Sequence, residues 1–103
     1  MFFKKRPPLD TPMDHFRHRA DLSTDERAVL DVYLTGVIHA MSGMNAVQTS
    51  NGLGNLFDVG AAHGLDVRGI EELIGAFLTQ RPDMVNQPLG LCAVIAVMQR
   101  YPA

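Results

Sequence analysis

With 103 residues and 47% hydrophobic side chains, the chain has material for one domain with its own core. Its single cysteine, Cys92, excludes an internal disulfide scaffold and any cysteine-based zinc finger. The formal charge of −2 hides an asymmetry. Lys4, Lys5, Arg6, Arg17 and Arg19 outweigh Asp10 and Asp14 in residues 1–20, whereas Arg27, Arg68, Arg81 and Arg100 face nine acidic residues in the remainder.

The opening MFFKKRPPLDTP has basic residues but no apolar run after them, so it reads as a loose basic arm over residues 1–20 rather than a secretory leader. Within it, Thr11 as N-cap and Pro12 at the first helical position predict a short helix in TPMDHFRHRA. Residues 21–103 are expected to form a single helical domain, and a soluble, cytoplasmic protein is the expectation for the whole. His15 and His18 would share a helix face near Asp14, but two strong ligands fall short of a metal site.

Ser23 followed by Glu26 is a capping box, and it opens a long helix predicted over 24–44. Leu30, Tyr33, Leu34, Val37, Ile38 and Met41 fall on one face, and Val29 and Val32 widen that face beyond a single stripe. The polar remainder is a narrow line of Arg27, Asp31, Thr35 and His39, a candidate partner-binding stripe. NAVQTSNG reads as a loop, and a short helix is predicted over 53–64, closed by Gly64.

Asp66 caps a helix predicted over 67–80, with Ile70, Leu73, Ile74, Phe77 and Leu78 on one face and Pro82 as its stop. The last helix, predicted over 88–100, is apolar almost all round. Its longest apolar run, PLGLCAVIAVM, is too short to span a bilayer as a helix. No β-type alternation persists, so the fold class is all-α: a compact bundle of four main helices, with the short N-terminal helix and arm in addition.

Residues 59–73, VGAAHGLDVRGIEEL, have helix-turn-helix spacing, which raises a DNA-binding regulator as the alternative function. Its outward positions include Asp66, Glu71 and Glu72, and three carboxylates oppose a polyanion. A third class, a small-ligand binder or enzyme, would need His39, His63 and Cys92 to converge on an interhelical pocket. No cofactor motif is present, and SNGLGN lacks the Lys-Ser/Thr ending of a phosphate loop.

The two long helices carry more apolar surface than a bundle of this size can enclose, and such surface marks interaction sites. The sequence therefore predicts a non-enzymatic protein–protein interaction module (an adaptor, an inhibitor or an accessory subunit) that is homodimeric. Val29, Tyr33, Leu91, Ile95 and Met98 are the candidate self-association surface.

Overall fold

The structure, a computed structural model, describes Arg6 and residues 8–103. Lys4 and Lys5 of the basic arm, together with Phe2 and Phe3, lie outside the described residues. Among the described residues the architecture is all-α, with four helices: α1 (Pro12–Arg17), α2 (Thr24–Ser50), α3 (Val67–Gln80) and α4 (Leu89–Arg100). Short 3-10 turns at Arg19–Asp21 and Pro82–Asn86 precede α2 and α4. No helix among the described residues is long and apolar enough to cross a membrane.

Helix α1 forms where Thr11 and Pro12 predict it. The Thr11 hydroxyl accepts from the Asp14 N–H at 3.1 Å, and the Asp14 carboxylate accepts in return from the Thr11 N–H at 3.1 Å. A helix this short is marginal alone, and burial of Met13 and Phe16 holds it on the core. The Arg19 guanidinium then lies over the Phe16 ring, 4.1 Å from its centre.

Helix α2 starts at the predicted capping box, with Ser23 accepting from the Glu26 N–H and Glu26 from the Ser23 N–H. Its end differs from the sequence expectation: the helix runs six residues beyond 44, to Ser50. Asn45, read as the start of a loop, is buried on the same face as Leu34 and Met41. Its side chain does not break the helix because it accepts from the Leu56 N–H at 2.6 Å instead of bonding locally. The stop comes at Gly52, whose φ of 75° is the left-handed geometry that closes a helix.

The helix predicted over 53–64 does not form; that stretch is a series of turns. Gly52, Gly54, Gly60 and Gly64 raise the entropic cost of helix there. Side chains also hold the stretch in its turns: Asp58 Oδ1 accepts from the backbone Ala61 N–H at 3.0 Å, and Asn55 Oδ1 accepts from the Thr49 side-chain hydroxyl at 2.7 Å. The loop is nevertheless anchored. Phe57 and Ala62 are buried, and the Asp58 N–H donates to the Tyr101 carbonyl at 2.8 Å.

Helix α3 has the predicted bounds, with Asp66 accepting from the Gly69 N–H at 2.8 Å. Its buried Ile70, Ile74 and Phe77 meet the small and apolar side of α4 (Leu89, Cys92, Ala93, Ala96 and Val97), the most extensive helix pair among the described residues. Small Ala93 and Ala96 allow the two axes to approach closely. Leu30, Leu34 and Met41 of α2 complete the core from the other side.

Candidate functional site

The expected polar stripe divides into two parts. Arg27 turns inward, placing Nη2 2.8 Å from Asp31 Oδ1 on its own helix and 2.6 Å from Glu71 Oε1 on α3. Burial works against the Arg27 charge, but Glu71 and Asp31 outweigh it and its pKa is raised. These contacts are close yet off the hydrogen-bond axis, and Arg27 Nε has no acceptor among the described residues, so charge rather than hydrogen-bond geometry holds the cluster. Thr35 spends its hydroxyl on the Asp31 carbonyl at 2.8 Å. Of these four residues, His39 is the one that is exposed and makes no side-chain bond among the described residues. The upper stripe thus joins α2 to α3.

His39, His63 and Cys92 are not assembled around one cavity. His63 borders a recess of about 200 Å³ between α2 and the 57–65 loop, lined by Ile38, Met41, Ser42 and Phe57; neither His39 nor Cys92 lines it. Cys92 is fully enclosed, its thiol 3.5 Å from the Met84 carbonyl, and burial pushes its pKa up. A protonated, enclosed thiol is a poor nucleophile. Among the described residues, no group of three or more His, Cys, Asp or Glu stands in metal-ligand geometry. A wider groove of about 450 Å³ runs between α1 and the start of α4, beside Asp14, Arg17, Tyr33 and Gln87.

The helix-turn-helix spacing of 59–73 is not realised as two helices. Residues 59–64 form turns, Val59 is exposed rather than buried, and only α3 is helical. Glu71 is committed to Arg27, and Arg68 reaches back toward Glu71 at 3.4 Å. The face that would enter a groove in DNA therefore presents Glu72 and a partly neutralised Arg68.

The proposed self-association residues are likewise sorted by the fold. Val29, Leu91 and Met98 are exposed; Tyr33 and Ile95 are half-buried, and the Tyr33 hydroxyl is close to Gly90 of α4. Beyond them lies the feature that the sequence reading missed. Val29, Val32, Met44 and Val47 are 56%, 73%, 49% and 61% exposed and lie along one side of α2, with exposed Gly36, Ala40 and Gly43 between them. A loop over 45–52 removes Val47 from the helix and leaves Met44 at its very end, so the far end of the stripe does not stand out in the sequence. The signal was available: residues 32–50 contain no Asp, Glu, Lys or Arg.

An exposed helix without formal charges over such a length is unusual, since a solvated face is ordinarily about a quarter to a third charged. Depletion of charge is instead the mark of an interface centre. Comparison with known proteins returns no matching family model, no matching curated protein and no matching solved structure.

Proposed function

We propose that the protein is a non-enzymatic helical interaction module that docks a partner on the outer face of α2. The observation that carries this reading is the uncharged stripe from Val29 to Val47, which gathers four of the exposed large apolar side chains on one face of α2. The absence of Lys and Arg along residues 32–50 favours a protein partner over nucleic acid or an anionic lipid surface, both of which need cationic contacts. The enclosed Cys92 and the commitment of Arg27 and Glu71 to each other leave little reactive chemistry for catalysis. An adaptor, an inhibitor of another protein or an accessory subunit all fit this surface.

Site-specific photocrosslinking in the native cell tests the proposal. A photoreactive phenylalanine analogue at position 32 is expected to give a discrete protein adduct, and the same analogue at exposed Glu72 is expected to give none. No adduct at position 32, or equal adducts at both positions, would overturn it.

A further inference from the structure

We infer that the occupant of the α2 face is a second copy of this chain, its α2 running antiparallel across a two-fold axis at residue 38. The inference rests on the docking reading above and adds the identity and register of the partner. A two-fold interface is self-complementary, so whenever residue i meets residue j of the partner, j must also meet i. For antiparallel helices centred on residue 38, Val29 is level with Val47 of the other copy, Val32 with Met44, Gly36 with Ala40, and Tyr33 with Gly43.

The residue types obey that symmetry. The outer layers pair bulky with bulky, and the centre pairs small with small. Tyr33 comes level with a glycine, and its own side chain stays against Gly90 of α4. A Cβ built on Gly36 or Gly43 meets nothing within 4 Å in the single chain, so neither glycine is demanded by the monomer's own packing. Small residues at the crossing point allow helix axes to approach toward the lower end of the usual range, about 8 Å.

The available area is consistent with such a dimer. From Val29 to Val47 the helix advances about 27 Å. Two such faces in contact cover on the order of 1,000 Å², the lower bound for a specific interface. No ionised side chain from residues 32–50 has to be desolvated, and antiparallel helix dipoles oppose one another favourably. The apolar residues on α4 (Leu91, Ile95 and Met98) form a shorter patch, and the small residues Ala93 and Ala96 of that helix are buried against the core and not offered at its outer face.

Sedimentation equilibrium and cysteine pairing test the inference together. The full chain is expected to move from 11.3 kDa toward twice that mass as its concentration rises through the micromolar range. Gly36→Glu is expected to weaken association at least tenfold while leaving the far-ultraviolet circular dichroism unchanged, because glutamate favours helix over glycine. In a Cys92→Ala background, an oxidised mixture of Val29→Cys and Val47→Cys chains is expected to give the mixed disulfide, and each chain alone to remain uncrosslinked. Disulfides from Val29→Cys alone would indicate parallel pairing and overturn the register. A strict monomer at several hundred micromolar would overturn the second copy altogether. If the position-32 photoadduct then joins a different protein, the docking surface stands and only its occupant is wrong; with no adduct, both fall.

Discussion

Arg27 of α2 stands 2.6 Å from Glu71 of α3, with their side chains only 20% and 13% exposed, and so ties together two helices that are separated in sequence by the long 51–66 loop. Removing Glu71 leaves the partly enclosed Arg27 charge with Asp31 as its one remaining partner among the described residues, and removes the tie to α3. Glu71→Gln is therefore expected to lower stability by about 1–3 kcal/mol in urea unfolding. Replacing both residues with apolar side chains of similar volume, as in Arg27→Met with Glu71→Leu, should recover most of that loss. Losses that simply add in the double variant would show that the two residues are not coupled.

Asn45 is the single polar residue in the described core, and its Oδ1 is the acceptor for the Leu56 N–H. Asn45→Leu is isosteric enough to fit but leaves that N–H without an acceptor, so a cost of about 1–3 kcal/mol is expected. The loss should be local as well as global. Hydrogen exchange at Leu56 and its neighbours should accelerate more than exchange in α3. Uniform acceleration throughout the chain would contradict the role of Asn45 as the pin of the loop.

The same residue explains where sequence reasoning succeeded and where it stopped. Caps that act within three or four residues were legible: Thr11, Ser23 and Asp66 each mark the helix start that the structure shows. Pro82, just past the end of α3, marks its stop as plainly as Asp66 marks its start. What was hidden depends on partners distant in sequence. Nothing next to Asn45 reveals that it bonds to Leu56, so in the sequence a turn-forming residue points to a turn. Arg27 was readable as an i,i+4 partner of Asp31, but its reach to Glu71 was not. At 53–64 the apolar residues suggested a helix, whereas the Asp58 and Asn55 side chains and the glycines decided for turns. A helix ending at 44 leaves Val47 off the apolar stripe and Met44 at its frayed end.

Acid should loosen the helix starts first. Hydrogen bonds from backbone N–H groups at the caps hold Asp14 and Glu26 below their ordinary values of 3.8 and 4.5, and for Glu26 the Arg6 guanidinium adds to this. The Arg81 side chain lowers Asp83 in the same direction. A carboxylate with a lowered folded-state pKa contributes fully above its unfolded pKa, and the contribution disappears as pH falls through the folded value. Thermal stability should therefore be flat from pH 7 to about 5 and decline below about 4. Glu26→Gln should flatten part of that decline; an unchanged slope would remove Glu26 from the explanation.

Cys92 offers a reporter for the whole fold. Its thiol is enclosed between α4 and the 82–86 turn and kept protonated by burial, so a disulfide reagent should react with it only after the chain opens. Labelling is expected to rise with urea in step with the loss of helical circular dichroism. Rapid labelling without denaturant would mean that the contact between α4 and Met84 opens independently of global unfolding.

Two glycines should respond oppositely to the same substitution. Gly64 has a φ of 84° and nothing within 4 Å of an added Cβ, so the penalty for Gly64→Ala is one of backbone conformation, roughly 1–2 kcal/mol. Gly36 is also open around its Cβ, but it lies in the interior of α2, where alanine is favoured over glycine by about 1 kcal/mol. Unfolding measured at submicromolar concentration, where the dimer contributes little, should therefore show Gly64→Ala destabilised and Gly36→Ala stabilised. Glycine at an exposed helical position that the isolated chain does not require is what a close helix crossing would demand. If Gly36→Ala stabilises the dilute protein but leaves association as strong as before, the crossing lies elsewhere along α2.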